Sequence, residues 1–189
     1  MDPASFTPSP LAEVECQADQ GRWTLVFTRE LRHPPQKVWD ALTEPERLAA
    51  WAPYTADRNL TGTGAFTLTM IDDESPQDMA AEVLRAEPQT LLEYTWGTAQ
   101  LRWTLEASST GTRLTLRHSL EDREWVPRVA AGWHLCLDVA ERLLDGQPIP
   151  PIRGAAAGKY GWLELNDSYA ETLGIPSTGW PEGMPKDDS

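Results

Sequence analysis

The sequence predicts an α+β fold in which an antiparallel sheet packs against one long helix near the C-terminus. Apolar residues alternate along about seven short segments, which is typical of strands with one buried face. Short loops containing Gly, Ser and Thr separate these segments, which favours antiparallel neighbours. A long apolar stripe at helical spacing follows the last strand. With 189 residues, the chain is long enough for one domain with a sizeable core.

The first third of the chain combines two strands with two short helices. The second strand is well marked, because Trp23, Leu25, Phe27 and Leu31 share one parity. His33, Pro34 and Pro35 end it. In chain order we expect a disordered Pro-rich segment over residues 1–10, strands over 11–17 and 22–31, and helices over 36–42 and 44–51.

The middle of the chain is predicted to be a meander of strands. Gly62 and Gly64 mark one turn, and Gly97 and Gly111 mark two others. The acidic residues that follow the predicted strand at 65–71 favour a solvated loop, although residues 72–74 could also bind a cation. The predicted strands are a weak one at 58–60 and clearer ones at 65–71, 80–86, 91–96, 101–106 and 113–119.

One long amphipathic helix follows the last strand. Pro127 suits its first turn, and Gly146 with the prolines that follow ends it. Its apolar stripe has the spacing 4, 3, 4, 3, 4, at Val126, Ala130, Trp133, Leu137, Ala140 and Leu144. A stripe of this length needs a large apolar partner surface.

The C-terminal part predicts a small extension on the domain. Residues 154–158 are small and loose, 160–173 have helical spacing, and Gly174 follows. We therefore expect one domain over 11–151, a helical extension packed on it over 152–175, and a mobile tail over 176–189.

Composition limits the classes of partner. The net charge of −13 and the pI of about 4.6 argue against binding to nucleic acid or to an anionic membrane surface. Cys16 and Cys136 lie in apolar patterns and are interpreted as buried free thiols rather than a disulfide. The N-terminus lacks the pattern of a signal peptide, and no segment is apolar enough to span a bilayer. We therefore expect a cytoplasmic protein.

Several motifs in order resemble one superfamily. They are residues 27–53 (FTRELRHPPQKVWDALTEPERLAAWAP), 91–97 (LLEYTWG), 101–106 (LRWTLE), 111–120 (GTRLTLRHSL), 130–138 (AAGWHLCLD) and 161–174 (GWLELNDSYAETLG). Together they resemble the START-related, pollen-allergen-like SRPBCC superfamily, and within it the homologues of the activator of heat-shock-protein ATPase. The resemblance covers about residues 11–174.

The resemblance implies a helix-grip fold. In that fold a curved antiparallel sheet wraps around the long C-terminal helix, with two short helices after the first long strand and here an extra C-terminal helix. The space between sheet and helix is a cavity in the superfamily, and the motifs leave open whether side chains fill it here. The superfamily includes binding, transport, cyclisation and chaperone-cofactor roles, so the fold does not fix the function.

The alternation of inward-facing strand residues and the positions of the nine Trp residues identify candidates that face the space between the sheet and the long helix. His118 continues the apolar face of Leu114 and Leu116 as a polar group, and His134 flanks the helical stripe. Either histidine could orient a ligand or be satisfied by a neighbour within the fold, and the Trp residues could be plain core. The candidate ligand-binding residues are Trp51, Phe66, Leu68, Met70, Trp96, Trp103, Leu116, His118, Trp133, His134 and Leu137.

Catalytic and metal chemistry have little support in the sequence. The three His and two Cys residues lack metal-ligand spacing, and no nucleophile elbow occurs. An acid–base pair of a histidine with Glu106 or Asp122 stays open. We therefore expect no metal, no cofactor and no catalytic residue.

The sequence thus predicts a domain that binds a small hydrophobic or aromatic molecule in an internal cavity; it favours a non-catalytic binding role and leaves enzymatic activity open. The first alternative is a cyclase- or hydrolase-like enzyme that uses the same cavity. The second is a chaperone cofactor or stress-related interaction module whose negative surface meets a basic protein partner. The identity of a protein partner and the formation of a homodimer are left open.

Overall fold

The structure is a computed structural model and describes residues 2–19, 21–71 and 75–180. The predicted cation loop at residues 72–74 and the last part of the predicted tail, 181–189, lie outside the described residues. The described residues form four α-helices: α1 (Pro35–Thr43), α2 (Pro45–Ala49), α3 (Val126–Leu144) and α4 (Trp162–Leu173). None of the helices in the described part of the chain is long and apolar enough to cross a membrane.

One eight-stranded antiparallel sheet forms the body of the protein. Its spatial order is β1-β2-β8-β7-β6-β5-β4-β3, so the long strand β2 is inserted between β1 and the last strand, β8. The strands are β1 (Glu13–Asp19), β2 (Arg22–Leu31), β3 (Tyr54–Ala56), β4 (Gly64–Met70), β5 (Gln77–Glu87), β6 (Leu91–Trp96), β7 (Ala99–Ala107) and β8 (Thr112–Leu120). The predicted α+β helix-grip fold is confirmed: the sheet is curved and α3 is held against it.

The inner face of the sheet follows the predicted parity. On β7, Leu101, Trp103 and Leu105 are buried, and on β8 Leu114, Leu116 and His118 are buried. Register pairs these residues across the two strands, with Leu101 opposite His118 and Trp103 opposite Leu116. A polar imidazole is therefore placed inside the apolar face.

The prediction of a weak strand at 58–60 is wrong, and β3 lies a few residues earlier. The reason is the side chain of Arg58, which donates hydrogen bonds to the carbonyl oxygens of Asn59, Gly62, Gly64 and Ala65. These bonds hold the chain in a loop, so its backbone does not join the sheet. The described part of the chain has eight strands instead of about seven because β3 pairs with β4.

Segments at both ends contact the body of the protein. The ring of Phe6, in the segment predicted to be disordered, lies 5.4 Å from that of Tyr160, and the Ser9 amide donates to Asp138 Oδ2 at 3.0 Å. Residues 154–158, predicted to be loose, belong to a 3-10 helix, Gly154–Tyr160. In the predicted tail, the Trp180 ring packs edge-on against Trp162 at 4.9 Å. The extension thus forms a layer beside α3.

Candidate functional site

An aromatic block fills the centre of the space between the sheet and α3. We define it as Trp51, Tyr54, Tyr94, Trp96, Trp103 and Trp133. The ring of Trp133 is the hub: it lies 5.3 Å from Trp103, 6.0 Å from Trp96, 6.4 Å from Trp51 and 6.4 Å from Tyr54. Most of these pairs are edge-to-face, the geometry that the aromatic quadrupole favours.

Hydrogen bonds fix the buried members of the aromatic block. Trp51 donates to the Ala41 carbonyl at 2.9 Å, and Trp103 donates to the Tyr94 hydroxyl at 3.1 Å. The Tyr54 and Tyr94 hydroxyls are hydrogen-bonded to each other. Burial raises the pKa of Tyr94 to about 12 and that of Tyr54 well above its ordinary value, so both phenols stay neutral. This part of the predicted ligand space is therefore solid core.

A cavity of about 240 Å³ lies beside the aromatic block. It is bounded by the end of the sheet, the N-terminal half of α3 and the C-terminal extension. Its described lining is mostly apolar or aromatic: Pro53, Trp96, His118, Trp125, Arg128, Val129, Gly132, Trp133, Leu135, Cys136, Ile152, Arg153, Gly154, Ala157, Trp162 and Trp180. A dry cavity of about 150 Å³ is enough to hold benzene, so this one has room for a molecule of one or two rings.

Gly132 helps to leave this cavity open. It lies in the middle of α3, where a glycine costs up to about 1 kcal/mol relative to alanine. A Cβ built at Gly132 meets no atom within 4 Å. Every larger side chain at this position would extend into space that is now empty, so the glycine is a feature of the cavity rather than of the helix.

His118 is the polar group that the sheet contributes to the cavity wall. Its ring stacks on Trp96 with centroids 5.4 Å apart, and its Nδ1 accepts the indole N–H of Trp133 at 3.0 Å. Burial lowers the pKa of His118 from 6.5 to about 3, because the charged form would lose its hydration. The imidazole is therefore neutral near pH 7 and acts as a hydrogen-bonding group.

This burial has a consequence for stability. Between about pH 6.5 and 3 the unfolded chain binds a proton at His118 that the folded chain does not, so we expect stability to fall as the pH is lowered. One such proton contributes a slope of up to about 1.4 kcal/mol per pH unit. Urea titrations at about pH 7, 6 and 5 measure it.

The matched variant for this measurement is His118→Asn, whose side-chain oxygen can still accept the Trp133 N–H. Its pH slope should be smaller than that of the natural protein. Burial also lowers the pKa of His134, but His134 is the same in both proteins and its contribution cancels. Equal slopes in the two proteins would contradict the buried, neutral state of His118.

The structure brings three of the predicted site residues to the cavity: Trp96, His118 and Trp133. Trp51, Leu68, Trp103, Leu116 and Leu137 are buried in the core, and none of them lines the cavity. Phe66 borders a separate shallow groove on β4 and β5, and Met70 lies at the end of β4. Ligand contact by these residues stays a prediction that the cavity itself does not support.

His134 lies away from the cavity, in a buried polar network. Its Nε2 is 3.1 Å from Ser9 Oγ, and its Nδ1 is 2.6 Å from the Tyr169 hydroxyl. Nearby, the Arg29 guanidinium pairs with Asp138 and also donates to Ser9 Oγ at 2.7 Å. His134 is thus satisfied by neighbours within the fold, which is the alternative that the sequence left open. The network joins α3, β2, α4 and the N-terminal segment.

The cavity wall that α3 and the extension provide was not predicted from the sequence. A second stripe runs beside the first on α3, at Val129, Gly132 and Cys136, and begins with Trp125 just before the helix. This stripe and the mid-helix glycine were the available signals. The contributions of Ile152, Ala157, Trp162 and Trp180 have no comparable signal, because they depend on how the extension folds back.

A long helix held in a curved antiparallel sheet, with an apolar cavity beside it, defines a protein of the helix-grip class. The comparison with curated proteins gives no match. Residues 32–145, more than half of the chain, match the family described as activator of Hsp90 ATPase homolog 1-like protein. The chain belongs to this family.

Solved structures share the fold at low sequence identity. A conserved protein of unknown function from Enterococcus faecalis is 18% identical, with a TM-score of 0.64 over 85% of this chain and 90% of that one. A protein of Bordetella parapertussis is 23% identical, with a TM-score of 0.63, and the match covers 96% of this chain and 100% of that one. A protein of Mesorhizobium loti is 27% identical, with a TM-score of 0.57, and the match covers 67% of this chain and 99% of that one.

Proposed function

We propose that this protein binds a small hydrophobic or aromatic molecule in the cavity between α3, the end of the sheet and the C-terminal extension. The observation that carries the proposal is the cavity itself, about 240 Å³ of apolar, aromatic-walled space beside the aromatic block, partly open to the surface. A concave, mostly apolar pocket with a few polar groups on its wall is the usual form of a small-molecule site. The family fold is consistent with this role.

Binding is favoured over catalysis by what lines the cavity. An acid–base mechanism needs a second titratable group beside His118, and no carboxylate occurs among the described lining residues. Glu106 and Asp122, the carboxylates considered from the sequence, are exposed and do not line the cavity. Because burial lowers the pKa of His118 to about 3, it is also a weak base.

Substitutions of Gly132 test the proposal with indane, an apolar molecule of two fused rings, as the probe. We expect Gly132→Phe to abolish indane binding, because its ring would occupy the cavity. The matched control is Gly132→Ala, which should keep binding and raise stability by about 0.5–1 kcal/mol through its better helix propensity. Calorimetric titration and thermal unfolding measure the two effects.

Saturable binding of indane that survives in Gly132→Ala and disappears in Gly132→Phe would support the proposal. Two results would contradict it. One is equal binding by both variants, which would place the molecule elsewhere on the protein. The other is no binding by the natural protein.

A further inference from the structure

The polar side-chain groups of the cavity wall are nearly all hydrogen-bond donors. Among the described lining residues, His118 supplies an imidazole and two arginines supply guanidinium groups. Indole N–H groups come from four tryptophans in addition to Trp133, namely Trp96, Trp125, Trp162 and Trp180. None of these lining residues is an Asp, Glu, Asn, Gln, Ser, Thr or Tyr, so no side-chain oxygen faces the cavity.

The tautomer of His118 is fixed by its neighbour. An indole nitrogen can only donate, so the 3.0 Å bond from Trp133 Nε1 requires Nδ1 of His118 to be unprotonated. A neutral imidazole then carries its proton on Nε2. Nε2 has no acceptor among the described residues, and the His118 ring lines the cavity.

Two more donors of the same wall lack partners. Trp180 Nε1 is buried and has no acceptor in the described part of the chain, although the Trp180 ring is held against Trp162. Arg128 Nε is in the same state, while Arg128 Nη2 donates to the Thr178 carbonyl at 3.1 Å. An unpaired buried donor costs about 1–3 kcal/mol, so the two at Arg128 and Trp180 are unfavourable unless something accepts from them, and His118 Nε2–H adds a further donor to the same wall.

We infer that the ligand of this cavity presents hydrogen-bond acceptors, as a ketone, ester or carboxylate on an aromatic or similarly flat apolar body, and that His118 Nε2–H and Trp180 Nε1–H donate to it. The inference rests on the proposed function and adds the chemical class of the ligand. An amine or another donor-only molecule would bring donors to a wall of donors. A cation would also meet Arg128 and Arg153.

Bicyclic probes of similar size test this inference: indane has no polar group, 1-indanone adds one acceptor, indane-1-carboxylate adds a charged acceptor, and indole has only a donor. We expect 1-indanone to bind at least about tenfold tighter than indole. The carboxylate tells the two acceptor types apart: tighter binding than 1-indanone indicates a charged ligand, and weaker binding indicates a neutral one.

Two variants assign the donors. His118→Asn removes Nε2–H and keeps an acceptor for Trp133, and Trp180→Phe removes the indole N–H and keeps a ring. Each should weaken 1-indanone binding by about five- to tenfold and change indane binding by less than about twofold. His33→Asn, a matched change outside the cavity, should leave both affinities unchanged, and thermal unfolding confirms that each variant is folded.

The outcomes separate this inference from the proposed function. If indole binds as tightly as 1-indanone, or if both variants keep the full affinity for 1-indanone, the acceptor inference is overturned while apolar binding stands. If no probe binds, including indane, the proposed function itself fails.

Discussion

Replacing Trp133 with alanine is expected to lower the free energy of unfolding by about 3–5 kcal/mol. Only 3% of its surface is exposed, and its ring is the hub of the aromatic block. The substitution would leave a large void and deprive His118 Nδ1 of its donor. Urea unfolding monitored by circular dichroism measures the loss.

The matched control is Trp125→Ala at the rim of the same cavity. Trp125 is 43% exposed, and its main specific contact is the Arg128 guanidinium, 4.8 Å from the ring centroid. We expect a cost of about 1 kcal/mol or less. If Trp125→Ala destabilised the protein as much as Trp133→Ala, the central position of Trp133 in the core would be contradicted.

Replacing Asp138 with alanine is expected to destabilise the protein by about 3 kcal/mol or more. Asp138 and Arg29 are paired with side-chain exposures of only 7% and 9%, so the variant would leave the guanidinium buried with one remaining carboxylate, Glu141, at 3.1 Å. The Ser9 amide would also lose its acceptor. Chemical denaturation measures the loss of stability, and hydrogen exchange should show faster exchange at Ser9.

Asp145→Ala is the control for this substitution on the same side of the protein. Asp145 pairs with His33 at 2.9 Å but its side chain is 46% exposed, so the pair contributes about 1 kcal/mol or less. The double variant Arg29→Met with Asp138→Leu removes both buried charges and should recover much of the loss. Equal costs for Asp138→Ala and Asp145→Ala would contradict the special role of the buried pair.

The residues of β7, β8 and α3 show how far sequence patterns reach. Alternation placed Leu101 and Trp103 on the inner face together with Leu116 and His118, and the structure confirms each of them. The apolar stripe predicted on α3 is likewise confirmed, since all six of its residues are buried. These are local properties, since the period of a strand or a helix decides which side chains share a face.

The site was predicted less well, for a physical reason that Trp103 and His134 illustrate. Both are on or beside an inward face, but Trp103 is packed solid against other rings and His134 is bonded to Ser9 and Tyr169. Periodicity identifies a buried face but does not say whether the opposing surface touches it. That depends on where the sheet curves and on residues distant in the chain.

The α+β fold, the family resemblance and the inward faces follow from the amino-acid sequence alone, because local periodicity and ordered motifs carry this information. Which aromatic side chains fill the space and which line a cavity becomes visible only in the folded chain. The extension brings Trp162 and Trp180 to the cavity that Gly132 also lines, and the Trp133 indole sets the tautomer of His118. Cavity and donors both arise from contacts between residues far apart in sequence, which no local pattern encodes.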